Sequence, residues 1–459
     1  MLIEVSLLLV AVVGGSADHP DSRNLIPAFA RRYRVGCSHC HVAFPKLNGV
    51  GEAFRLNGYR FPEAQPEPRG EPTIPLGEEP WKDLWPRGVW PGELPASVPF
   101  ALRIQSDVGV APDTAGRMAT SFRFPHDVEL LAGASLGEHI GVFFEGGWNR
   151  DEGPKLEQAK ITFQRLLASL GDRRLNLWIG LQNLFLLAFT NEETDRVARQ
   201  TFLWQRFRPV EVPLGSGSGE RLAQSEFRLG LTEPAIELNG LMTPRLYYAV
   251  GIAQGAGEAT ADNNRRKDVY YKLRYQAGGI ALDGSLPPSD TASGPLPSAH
   301  RHLGERSVIF ETFGYFGSEP TATGVESRHR ALGVSWRLIR GPGDFGVGYV
   351  WARDDQPWGA GAGALDRTSA FAKGEYLVYP WLILSLKGEW FTLRTPPPGT
   401  GGGGGDRLRF TQTHLMPGLI ALVRQNVRAV AEADLFPTYE SPSRAAAPRG
   451  IWLRLDVAF

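Results

Sequence analysis

"FALRIQSDVGV", residues 100–110, decides the fold: Phe100, Leu102, Ile104, Val108 and Val110 share one parity, and Arg103, Gln105, Asp107 and Gly109 the other. Side chains alternating with period two mark an extended strand with one apolar and one polar face. The rhythm recurs down the chain. Val128, Leu130, Ala132, Ala134 and Leu136 alternate up to a Gly137-Glu138-His139 turn, after which Ile140, Val142, Phe144 and Trp148 resume the apolar face. Hairpin turns are predicted at 171–174, 243–245, 341–344, 379–381 and 424–426, and "IWLRLDVAF" (451–459) closes the sequence with Ile451, Leu453, Leu455, Val457 and Phe459 on one side.

Such segments number about sixteen, near residues 100, 128, 140, 156, 174, 233, 245, 267, 306, 328, 344, 368, 381, 407, 426 and 450. Tight turns occupy one end of nearly every hairpin, and long links, including 188–231 and the Gly-rich 396–406, occupy the other. That asymmetry belongs to outer-membrane barrels, with short periplasmic turns and long external loops. Residues 279–304 break the rule, being long at the short end. A soluble sandwich also alternates, but its strands are usually shorter. Strands of about ten residues with aromatic side chains near their ends suit a lipid-facing band better; Tyr349, Trp351, Tyr379, Trp381 and Trp390 are such residues. A closing strand with a terminal aromatic residue, here Phe459, also resembles the assembly signal of bacterial outer-membrane proteins. The expected fold is all-β, a transmembrane antiparallel barrel over residues 100–459.

Alternation places Arg103, Asp107, Glu129, Glu145, Lys160, Lys272, Arg274, Arg337, Lys373, Glu375, Lys387, Glu389, Arg428, Glu432, Arg454 and Asp456 on the luminal face. Their signs are mixed, which predicts paired groups or a bed for a plug rather than an ion-selective ring. A simply wet lumen is the alternative.

The totals agree with this class. The chain has 459 residues, 21% charged and 42% apolar, with 54 Gly, 35 Pro, 12 Trp and 12 Tyr, a mix suited to strands and turns. Lys plus Arg equals Asp plus Glu at 49 each, so charge indicates no nucleic-acid partner. Residues 1–17 read as a signal peptide: an apolar run from Val5 to Val13 precedes Gly15, Ser16 and Ala17. Its n-region departs from the pattern, carrying Glu4 and no Lys or Arg.

The only two cysteines stand in "RRYRVGCSHCHVAF", residues 31–44, as Cys37-Ser38-His39-Cys40-His41. C-x-x-C-H is the attachment pattern of c-type haem: two thiols add to the vinyl groups and the adjacent His ligates the iron. Three alternatives compete. Zinc would need further ligands and no other Cys exists, a redox C-x-x-C needs a thioredoxin-like βαβ context that is not seen, and a disulfide over this loop would be strained. The following "FPKLNGVGEAFRLNGYRFP" sets Phe44, Leu47, Phe54, Leu56 and Tyr59 among glycines, suiting short helical turns on a flat apolar face such as haem, or a self-contained hydrophobic cluster. The second axial ligand is open: His19, a residue from the barrel such as His414 or Met416, or none. Pro417 is expected to interrupt the strand of His414 and Met416, Met242 shares the lipid-facing parity, and His39 is expected to be exposed. Residues 18–61 are thus expected to be a small helical monohaem domain, and the Pro- and Glu-rich 62–99, with Trp81, Trp85 and Trp90, an extended connector.

The export signal, single C-x-x-C-H, "FPKLNGVGEAFRLNGYRF" and sixteen-strand pattern together resemble the fused cytochrome-porin family of bacterial outer membranes, associated with oxidation of extracellular ferrous iron. The specific resemblance spans about residues 25–62. It implies one covalently bound haem c on Cys37 and Cys40, with His41 as the iron ligand. It also implies electron transfer between an extracellular donor such as ferrous iron and a periplasmic carrier protein, in a barrel seated in outer-membrane lipid. Because lipid about 25 Å thick separates the two sides, the haem domain is expected inside the barrel. A transport porin with a structural or gating plug, and an exported haem sensor, are the competing functions.

Overall fold

The structure, a computed structural model, describes residues 28–33, 35–62, 73–75 and 93–95. From 100 to 458 it describes all but 113–115, 138, 151–152, 167–173, 188–228, 231, 257–264, 287–304, 321–323, 357–362, 396–407, 425, 441–446 and 448. The expected signal peptide, His19, most of the connector with its three tryptophans, the Gly-rich link and Phe459 lie outside the described residues.

The N-terminal segment forms helix α1 (Ala28–Tyr33), a 3-10 turn (Cys37–His39), a small hairpin of β1 (His41–Ala43) and β2 (Lys46–Leu47), and helix α2 (Gly49–Leu56). Two short strands, β3 (Thr73–Pro75) and β4 (Glu93–Pro95), pair with each other. Sixteen strands then follow: β5 (Phe100–Pro112), β6 (Met118–Leu136), β7 (Ile140–Asn149), β8 (Gly153–Phe163), β9 (Asn176–Asn183), β10 (Thr232–Thr243), β11 (Leu246–Ala253), β12 (Asp268–Gly278), β13 (Arg306–Pro320), β14 (Glu326–Arg340), β15 (Gly343–Asp354), β16 (Leu365–Tyr379), β17 (Leu382–Thr395), β18 (Leu408–Arg424), β19 (Val427–Tyr439) and β20 (Gly450–Ala458). Each pairs antiparallel with its chain neighbours, and β20 closes on β5 into one barrel. Closure leaves no unpaired edge, the condition for crossing lipid with strands.

Alternation sets the two faces. Ile236, Leu238, Val250, Ile252, Leu384, Leu386, Leu453 and Leu455 are exposed on the outside. Tyr379 and Trp381, stacked at 5.8 Å beside a short turn, and Trp390 are also exposed. A belt this apolar belongs in lipid rather than water, and the architecture is that of a bacterial outer-membrane barrel. The predicted luminal residues are all buried except Lys373, which is half-buried. They pair by sign: Arg103 with Asp456 (2.7 Å) and Glu129 (2.9 Å), Arg454 with Asp107 (2.6 Å), and Lys387 with Glu432 (2.7 Å).

Three local features differ from expectation. β6 starts ten residues early, at Met118, because Pro125 falls in a bulge where the β5 register shifts between Gln105 and Asp107; a bulge tolerates a missing N–H. β18 likewise runs through Pro417, which pairs with Leu386, so the strand is not interrupted. The long link at the short-turn end has a structural use: its described residues 279–286 turn onto the N-terminal segment, Ile280 packing against the cluster that holds Val50 and Phe54, and Leu282 sharing a cluster with Leu56.

The core is the lumen. Residues 28–62 fill its short-turn half. In the other half Leu184, Leu186, Leu187 and Leu229, from the link between β9 and β10, pack against Tyr270, Phe313, Tyr315, Phe391 and Leu393 of the wall.

Candidate functional site

The C-x-x-C-H turn is held by its own neighbours. Asn48 caps α2, its side-chain oxygen accepting from Gly51 N at 3.0 Å while its amide donates to Ser38 O (3.3 Å) and His39 O (3.1 Å). Its backbone N–H donates to Cys40 O at 2.9 Å. One asparagine thus ties the cysteine turn to the helix start. The helix lies so close that a Cβ on Gly51 would stand 2.2 Å from Cys40 O, so only glycine fits.

Cys37, Cys40 and His41 line one cavity of about 220 Å³. Its walls are apolar, with Phe29, Phe44, Phe54, Tyr59 and Phe61 from the segment and Leu131, Phe143 and Phe185 from the barrel. Arg55 and Arg103 also line it, the first over the Phe185 ring at 4.8 Å and the second over Phe44 at 5.2 Å.

Two thiols and an imidazole are the donors that a covalent tetrapyrrole would need. Neither cysteine is in a disulfide, and burial pushes the Cys40 thiol up to about 12, so as a bare thiol it is protonated rather than a reactive thiolate. His41 Nδ1 lies 3.0 Å from Pro45 O. A carbonyl only accepts, so Nδ1 carries the proton and Nε2 keeps its lone pair for a metal. Burial lowers His41 to about 4, which keeps the ring neutral at ordinary pH.

The segment is bolted to the wall. Lys46 pairs with Asp344 and Glu375, and Glu52 lies between Arg55 (2.8 Å) and Arg274 (3.2 Å). Arg60 donates to Gly137 O (3.0 Å) and Arg32 to Ser135 O (3.2 Å). Two wall glycines make room: a Cβ at Gly133 would meet the Phe29 ring at 2.3 Å, and one at Gly141 would meet Gly58 O at 2.5 Å.

Of the residues singled out by sequence, Cys37, Cys40 and His41 come together, joined by Phe44, Leu47, Phe54 and Tyr59. Leu56 turns away, packing against Trp178, Leu241 and Tyr247. His39 is half-buried, its ring edge-on to Phe61 at 5.2 Å, rather than exposed. His414 and Met416 do face inward, but neither lines the cavity; His414 Nε2 lies 2.7 Å from Asp434 and its ring stacks on Phe436 at 4.5 Å. Met242 is exposed outward, as its parity predicts. Lys46, Asn48, Glu52, Gly133 and Gly141 carry no sequence signal of their own, since each matters through a partner remote in sequence or a backbone approach.

No protein-family model matches the chain, and no curated protein does. Solved structures match its fold. An anion-selective porin from Comamonas acidovorans superposes with a TM-score of 0.54 at 9% identity, over 79% of this chain and 99% of that one. The outer membrane channel DcaP of Acinetobacter baumannii gives 0.49 at 8% identity, over 79% and 97%. A loop L8 deletion mutant of OmpT, an outer membrane protein of Vibrio cholerae, gives 0.47 at 10%, over 79% and 99%. At such identities the likeness is one of fold, a porin-type barrel.

Proposed function

We propose that the chain is an outer-membrane monohaem cytochrome-porin that passes electrons between an extracellular donor, ferrous iron foremost, and a periplasmic carrier protein. One observation carries the reading: Cys37, Cys40 and His41 line a single apolar cavity within the lumen, with His41 Nδ1 already engaged by Pro45 O. A haem bound there supplies a one-electron ferric–ferrous couple. Cys37 and Cys40 would hold it through their sulfurs, and His41 would provide a nitrogen to the iron. The phenylalanine walls exclude water, and Asn48 keeps the attachment turn in register with α2. His414 and Met416 do not line the cavity. Short turns face the periplasm in such barrels, so the segment sits beside the periplasmic mouth, where a soluble carrier docks.

Covalent haem tests this directly. Purified wild-type protein is expected to keep a haem-staining band on a denaturing gel, and the Cys37→Ala/Cys40→Ala protein to lose it while the barrel still folds. A colourless wild-type protein contradicts the reading. The fold shared with a porin favours a second reading, a transport porin in which residues 28–62 are a structural or gating plug. Solute-selective conductance of the intact protein in planar bilayers, with a haem that does not respond to ferrous iron, would favour it.

A further inference from the structure

The outward face of the barrel carries a pair of like charges that neither functional reading uses. Arg306 of β13 and Arg340 of β14 are both exposed and stand directly opposite each other on the ladder, at the short-turn end. Side chains so placed have Cβ atoms about 5 Å apart, and like charges there destabilise the pairing. No carboxylate among the described residues bonds to either guanidinium. The nearest acids in sequence face the lumen instead: Glu305 is buried, accepting from Ser307 Oγ at 3.4 Å, and Asp344 is held by Arg337 at 2.6 Å. The far sides offer no counter-charge either, since Arg340 meets Gly343 on β15, and β12 ends at Gly278, opposite Ser307. Arg245 adds a third guanidinium to this rim, its Nη1 donating to Gly278 O at 2.6 Å, a neutral acceptor that leaves its charge in place.

We propose that Arg306 and Arg340 bind the phosphate of a phospholipid headgroup at the edge of the lipid-facing belt. A phosphodiester anion between the two guanidiniums replaces their repulsion with charge-assisted hydrogen bonds, for which the planar arginine fork is well shaped. The place selects a lipid over a soluble anion. Two residues further along each strand, about 7 Å away, Val308 pairs with Leu338 on the same outward face, and the next step brings Phe310 opposite Trp336. Phe310, its β12 neighbour Tyr275, and Phe345 opposite Leu338 are exposed there. The site is therefore continuous with the apolar belt: a phosphate held by the arginines lays its acyl chains along these side chains, which a free phosphate cannot cover. Short turns face the periplasm in such barrels, so the periplasmic leaflet supplies the lipid. The site is independent of the haem.

Dioleoyl phosphatidylglycerol is the probe, added to full-length protein in a neutral detergent and counted by native mass spectrometry, with the heat-dependent shift on electrophoresis reporting the folded barrel. Wild-type protein is expected to retain this lipid, and to retain dioleoylglycerol, which has the same chains and no phosphate, several-fold less. Arg306→Gln/Arg340→Gln should weaken retention of the phospholipid by an order of magnitude or more. Arg306→Glu sets a carboxylate opposite Arg340 and so needs no anion between the strands. It should lose the lipid to the same extent yet melt at a higher temperature than wild type in lipid-free detergent, and added phosphatidylglycerol should raise the melting temperature of wild type alone. Inorganic phosphate should leave the bound lipid in place. Equal retention of the two lipids by wild type, undiminished retention in either folded variant, or displacement of the lipid by inorganic phosphate overturns the site.

Discussion

The two halves of the lumen are filled by different means. At the short-turn end the filling is a separate segment, residues 28–62, joined to the wall by ion pairs such as Lys46–Asp344 and Glu52–Arg274, and it leaves an apolar cavity bearing two thiols and an imidazole. At the loop end the filling is the barrel's own link, whose leucines pack on Phe313, Tyr315 and Phe391, each at most 2% exposed. One half is built to enclose something, the other to be dense. A porin that passes solutes needs a wet path through both halves.

Four experiments break or sharpen that contrast. The largest effect is expected on removing residues 28–62: the wall strands pair only with one another, so the barrel should form, and conductance in planar bilayers should rise by an order of magnitude if the segment is the main obstruction. Equal conductance would assign closure to the loop half alone. Next is Glu52→Gln. Leaving Arg55 and Arg274 with no carboxylate between them should loosen the segment by about 3 kcal/mol, the low end for breaking a buried pair, because Arg274 keeps Glu311 at 3.9 Å. Faster proteolytic cleavage within 28–62, with an unchanged barrel shift on electrophoresis, is the readout. Gly133→Val should act more weakly, roughly 1–3 kcal/mol of overpacking against Phe29, again confined to the segment; destabilisation of the barrel instead would mean the wall, not the plug, requires that glycine.

Acid provides the smallest effect near neutrality. Although burial opposes it, Arg55 and Arg274 hold the Glu52 carboxyl at about 2, below its ordinary 4.5. A depressed carboxyl contributes stability that is complete above the ordinary value and is lost as pH falls through the lowered one. Protease resistance of the segment should therefore be level down to about pH 4.5 and decline towards about pH 2. The Glu52→Gln protein should lack that contribution.

The wall was legible because lipid and lumen impose opposite demands on adjacent residues, so each strand writes its own alternation. All sixteen strands and the luminal parity of residues such as Arg103, Glu389 and Asp456 follow from it. Where a bulge absorbs a proline, as at Pro125, the pattern breaks and the strand start is misplaced by ten residues. The segment was legible only through Cys37, Cys40 and His41, whose spacing carries chemistry. Its seating was not, because Lys46 meets Asp344, and Gly133 meets Phe29, across about 300 and 100 residues of chain. The long link at 279–304 looked like an exception; the apolar Ile280 and Leu282 within it were the available sign that it covers something.

Electron transfer through an intact, lipid-embedded barrel tests the central claim most directly. Protein reconstituted in liposomes that enclose a one-electron acceptor should, on addition of ferrous iron outside, show prompt reduction of the haem absorption followed by reduction of the acceptor, and the Cys37→Ala/Cys40→Ala protein should show neither. A wild-type haem that ascorbate reduces but external ferrous iron does not, or acceptor reduction that is undiminished without the two cysteines, would contradict the account.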